Sequence, residues 1–140
     1  MTSERPSVRG EMPWLQSGPL FRVHASAREQ LDAFLNRHGY RRLDLDGHAM
    51  TSRSAAHLEL ARAFGFPDYY GENWDAFDES FEDVIEQHAS GLVAVVWNHM
   101  NVSAGLAPAT TVEVGCALLD KRATPLDVFA VGDGDDFDRP

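Results

Sequence analysis

Cysteine is nearly missing from this chain of 140 residues: Cys116 stands alone, which excludes an internal disulfide framework and any cysteine-rich zinc site. Long apolar runs are missing too. The longest, residues 92–97, is six residues, where a helical bilayer span needs about 20. The first ten residues contain no apolar stretch of the kind a signal peptide carries, so a cytoplasmic protein with no membrane partner is expected. Positive charge is the third deficit. Residues 63–120 contain no Lys or Arg but ten acidic residues, while the flanking segments nearly cancel, so this stretch carries the whole formal charge of −10. Nucleic acid is therefore not the expected ligand, because binding a phosphate backbone needs clustered cations that displace counterions.

What is present points the other way. Eight acids crowd into residues 68–86: Asp68, Glu72, Asp75, Asp78, Glu79, Glu82, Asp83 and Glu86. A solubilising surface usually mixes both signs, whereas an uninterrupted one creates a field that steers a basic partner. A basic protein partner is the leading expectation, and 140 residues suffice for one domain with its own core.

Along the chain, residues 1–19 hold Pro6, Gly10, Pro13, Gly18 and Pro19 without an evident apolar period and read as a loose leader. A single domain is expected over residues 20–132, followed by an acidic tail over 133–140. Residues 20–24 read as a strand. Ser26 and Glu29 resemble a capping box opening a helix that Gly39 stops. Residues 40–46 alternate like a half-exposed strand, and residues 51–64 read as a helix with Ser52 or Ser54 as cap. A loop over 68–73 leads into a short helix placing Trp74, Phe77 and Phe81 in the core. Residues 92–97 read as a central strand buried on both faces, Thr110 with Glu113 as a further helix start, and residues 126–131 as a last strand. Alternating strands and helices predict an α/β fold, a small parallel sheet of three to four strands with helices packed on it.

Residues 66–77 read FPDYYGENWDAF, and this run resembles the signature of the barstar family, intracellular inhibitors of the secreted ribonuclease barnase. The similarity runs without a gap from about Gly47 to Val84 and more weakly through the last two strands and the helix between them. Residues 1–38 have no counterpart, which makes the strand and helix of residues 20–38 an addition. The resemblance implies a barstar-like fold, no enzymatic activity, no cofactor and a basic ribonuclease as partner, with a face that plugs the nuclease active site. It places Tyr69 against the catalytic histidine of the nuclease, with Gly71 and Asn73 touching it partly through backbone groups and Asp75 pairing with nuclease cations. It sets Glu79 where the family has the aspartate that enters the phosphate pocket, and Asp120 near a second acidic contact; Asp78 and Glu82 join that negative face. Three positions depart from the family: Asp78 and Val84 replace tryptophans, and Glu79 is one methylene longer than aspartate. Such a plug works as a monomer.

A competing pattern is DLDGH at 44–48 with VGDGDD at 131–136, resembling the acidic motifs of haloacid-dehalogenase-type phosphatases. There, aspartates at neighbouring strand ends hold Mg2+ and one attacks phosphate; Asp44, Asp46 and Asp133 would be those residues, with Lys121 as phosphate clamp. A third possibility is an acidic docking or immunity protein for a basic partner that is not a nuclease. The six histidines show no i, i+3 or i, i+4 pairing, so no metal site is expected.

Overall fold

A computed structural model describes residues 5–16, 18–88, 91–120 and 126–140. Four parallel strands, β1 (Leu20–His24), β2 (Arg41–Asp46), β3 (Val93–Asn98) and β4 (Leu126–Gly132), form one sheet in the order β1-β4-β3-β2. Six helices accompany them: α1 (Val8–Glu11), α2 (Arg28–Arg37), α3 (Arg53–Phe64), α4 (Trp74–Gln87), α5 (Met100–Leu106) and α6 (Pro108–Leu119). The predicted α/β class and parallel sheet are thus what the chain adopts. Among the described residues no helix is long and apolar enough to cross a membrane.

β3 lies between β4 and β2, and its five residues Val93–Trp97 are all buried. A strand paired on both edges and covered on both faces must be apolar throughout, which is why 92–97 is the longest apolar run in the sequence. Its side chains alternate between two cores. Val93, Val95 and Trp97 join Leu43, Leu60, Phe77, Phe81, Val114 and Leu118, the layer formed with α3, α4 and α6. Ala94 and Val96 join Leu31, Phe34, Leu35, Phe129 and Val131 on the opposite face, under α2. Phe77 and Phe81 are fully buried, with ring centroids 5.0 Å apart, as their spacing on one helical face predicts.

Four local readings need correction. The leader is not loose over its described part: Val8, Met12 and Leu15 are buried in the second core, and Ser7 caps α1 by accepting from the Gly10 amide. Val8 lies on α1, while Met12 and Leu15 follow in the turns after it, so no helical period marks the three in the sequence. The acidic tail is likewise held: Phe137 is buried, and the Asp138 amide donates to the Arg22 carbonyl while its own carbonyl accepts from the His24 amide. Ser26 does not cap α2; it sits inside a 3-10 turn whose cap is the His24 ring. Thr110 does not open a helix either. α6 starts at Pro108, whose fixed φ suits the first helical position, and Thr110 and Thr111 are buried within it.

Candidate functional site

The acidic segment folds as the end of α3, a nine-residue connection and α4. Gly65 closes α3 in the left-handed conformation (φ 69°), and both its amide and that of Phe66 reach the Ala61 carbonyl. The loop then alternates its aromatic rings. Phe66 packs on Phe64 and Phe77 at centroid distances of 5.8 Å, and Tyr70 packs on Phe66 at 4.9 Å. Tyr69, between these two anchors, is thrown outward and stands 88% exposed. A ring that could be buried but is held in water is the geometry of a contact residue rather than of a core residue.

Tyr70 is tied down by its hydroxyl as well as by its ring. Its hydroxyl lies 2.6 Å from Nδ1 of His57, a residue 1% exposed on α3. Burial pushes the tyrosine up to about 12, helped by the negative charges of Glu72 and Asp78, while burial lowers the histidine below its ordinary value. At neutral pH the phenol is therefore protonated and the imidazole neutral, so the hydroxyl donates and Nδ1 accepts. Two further ties stiffen the turn. The Asn73 Oδ1 accepts from the Ala76 amide at 2.8 Å, capping α4, and its Nδ2 donates to the Gly71 carbonyl at 2.8 Å. The left-handed residue of the bend is Glu72 (φ 41°), with Gly71 beside it, and Glu72 Oε1 accepts from the Ser54 hydroxyl at 3.3 Å.

Within α4, Phe77, Phe81, Val84 and Ile85 face the core, and Asp75, Asp78, Glu79, Glu82, Asp83 and Glu86 occupy the remaining circumference. Asp75, Glu79 and Glu82 are exposed, Asp78 half-buried. Asp75 and Glu79, four residues apart, stand one turn above each other on the same face, roughly 5–6 Å between Cβ atoms. Among the described residues no Lys, Arg or His pairs with any of these six carboxylates, whereas Glu11, Asp32, Glu59 and Glu113 elsewhere are all ion-paired. α4 also has no base in its last turn, where a cation would offset the helix dipole. Among the described residues, the face is thus negative without internal compensation.

Asp120 joins this region. It caps α6, is exposed, and with Trp74, Asp78, Glu113, Cys116 and Ala117 lines a groove between α4 and α6. Glu113, expected to cap a helix, instead crosses the groove: its Oε2 accepts from Trp74 Nε1 at 3.3 Å, and Arg53 Nη2 reaches it from α3 at 3.3 Å. The structure therefore brings Tyr69, Gly71, Asn73, Asp75, Asp78, Glu79 and Glu82 into one loop-helix unit, with Asp120 across a groove from Asp78. Asn73 spends both side-chain polar atoms on the fold. Val84, one of the three departures from the family, points into the core and is 6% exposed.

The phosphatase-like pattern does not assemble. β3 separates β2 from β4, so Asp44 and Asp46 do not share neighbouring strand ends with Asp133, and Asp44 is engaged by Arg42 at 3.3 Å. Lys121, its phosphate clamp, lies outside the described residues. What the histidine spacing did not reveal is a grouping of Asp46, His48 and His99 at the ends of β2 and β3.

Fold and site together define an α/β protein that carries a stiff acidic loop-helix face on a four-stranded parallel sheet. The chain belongs to the barstar family: the family model described as Barstar (barnase inhibitor) matches residues 40–130. Its start coincides with the strand β2, so β1 and α2 lie outside the matched stretch. Among curated proteins none matches. Among solved structures, the crystal structure of Cdc6p from Pyrobaculum aerophilum aligns at a TM-score of 0.48 and 18% identity, covering 84% of this chain and 32% of that one. The chain thus spans about a third of that protein's length.

Proposed function

We propose that this chain is a stoichiometric, non-enzymatic inhibitor of a small basic ribonuclease, acting in the cytoplasm as a monomer and covering the nuclease active site with the loop at 66–73 and the exposed face of α4. One observation carries the reading: six carboxylates on α4 have no cationic partner among the described residues and stand beside a tyrosine that is 88% exposed. A ribonuclease must hold RNA phosphates in a cationic pocket, so a fixed row of carboxylates fits that pocket as a substrate would. Flanking aromatic surface excludes water and strengthens the ion pairs.

Stiffness matters as much as charge. Because Tyr70, Asn73 and Glu72 already fix the loop, little chain entropy is lost on docking, and more of the contact energy appears as affinity. The same charge speeds encounter with a basic partner, an effect for which barnase and barstar are themselves the reference system.

The test is a titration of the chain against barnase and other small basic ribonucleases, read as RNA cleavage. Cleavage should fall to zero at one equivalent with at least one of these enzymes. Tyr69→Ala and Glu79→Ala should each weaken inhibition at least tenfold, also at 0.5 M NaCl. Losses that vanish with added salt would leave only generic attraction to a basic protein.

A further inference from the structure

β2 and β3 pair in parallel with Asp46 opposite Asn98, so both strands end at the same level of the sheet. The turns leaving them are pressed together. A Cβ on Gly47 would lie 2.1 Å from the His99 carbonyl oxygen, which is why the position holds glycine. His99 takes the left-handed conformation (φ 53°, ψ 39°), and its ring stacks on that of His48 with centroids 4.0 Å apart. Asp46 completes the group: its Oδ1 accepts from the His48 amide at 2.9 Å and lies 3.5 Å from the His48 Nδ1. One ligating atom from each of the three side chains lies within 4.8 Å of the others, and all are open to solvent.

We propose that Asp46, His48 and His99 bind one divalent transition-metal ion, Zn2+ being the reference case, at the carboxyl edge of the sheet. Two imidazole nitrogens and one carboxylate oxygen are the donor set that Zn2+, Ni2+ and Cu2+ favour, while Mg2+ and Ca2+ prefer oxygen alone. With metal–ligand bonds of about 2.0–2.2 Å, donors in a tetrahedral site stand about 3.3–3.6 Å apart. Exposed side chains reach that spacing by rotating about their own bonds, with no movement of the sheet. Three protein ligands leave a coordination position for water or for a donor from another molecule. Two cations approach the group without occupying it. Arg62 is held by Glu59 through contacts of 2.7 and 2.6 Å, and Arg28 donates to the Asn98 side chain.

The test is calorimetric titration of the full chain with ZnCl2 in chelator-free buffer, with thermal melts in the presence of ZnCl2 or EDTA. One equivalent should bind saturably and raise the melting temperature. His99→Asn, which keeps a residue tolerant of the left-handed conformation, should weaken binding by more than about 100-fold, beyond the 10–100-fold that losing a supporting residue costs. His48→Gln, at an exposed position, is the second probe and should do the same. His88→Gln, outside the group, should bind as the parent does. Absence of saturable binding overturns the proposal. So does unchanged affinity in either ligand variant that melts cooperatively in EDTA.

Discussion

Glu79→Gln is the substitution in which partner binding and stability make opposite demands. Glu79 stands four residues from both Asp75 and Asp83 along α4, and none of the three has a cationic partner among the described residues. Like-charge pairs at this spacing destabilise a helix by about 0.2–0.5 kcal/mol each, so removing one charge relieves two pairs and stabilises the fold by about 0.4–1 kcal/mol. Gln and Glu have nearly equal helix propensity, which isolates the charge. In a chain of this size that gain raises the melting temperature by about 1–4 °C. The assay is a pair of thermal melts, at 20 mM and 1 M NaCl. The gain should appear at low salt and shrink at high salt, where the Debye length falls to about 3 Å. Asp32→Asn is the control with the opposite sign, since Asp32 accepts from Arg42 at 2.8 Å. A fall in melting temperature for Glu79→Gln, or a gain untouched by salt, would show that Glu79 is engaged and would refute the picture of an uncompensated face. The same variant should inhibit less well, which is the trade between stability and function expected of a face kept for a partner.

Two further outcomes follow from the packing. Burial holds the His57 imidazole below its ordinary value; the unfolded chain takes up a proton below about pH 6.5 that the fold refuses. His57 therefore supports stability fully above about pH 6.5 and less as pH falls through the depressed value. The urea midpoint should drop more between pH 7.5 and 5.5 in the parent than in His57→Gln, and equal drops would refute the assignment. Gly47→Ala should cost about 3 kcal/mol by urea denaturation, because its Cβ would meet the backbone of Asn98 and His99 and no flexible side chain; a neutral result would show that these turns separate freely.

Legibility varied with how locally each feature is determined. β3 was readable because burial on both faces leaves one residue class per position, and α4 because its apolar and acidic faces keep strict helical spacing. α5 was invisible: it carries no side-chain cap, and Ser103 is its one buried residue, so no apolar period marks it. α1 escaped because it is four residues long with Val8 as its one buried residue, too short for an apolar period to mark it. Thr110 and Glu113 imitated a cap while one packed inward and the other tied α6 to α3 and α4. Around the acidic face, the outward turn of Tyr69 followed from the family-like run, but the Tyr70–His57 bond joins residues 13 apart and needed coordinates. Asp46 and His99 are further apart still, and only the pairing of β2 with β3 brings them together.

The covering of the sheet's second face bears on how this protein can be cut. A fragment trimmed to the family outline, residues 40–130, would strip Leu31, Phe34 and Leu35 from Ala94, Val96 and Phe129 and leave β4 with a bare hydrogen-bonding edge in place of β1. Such a greasy wall beside an unpaired strand invites sticking between copies. The smallest well-behaved unit is therefore larger than the family outline suggests: β1 closes the edge of the sheet and α2 works as an integral back plate on the side away from α4.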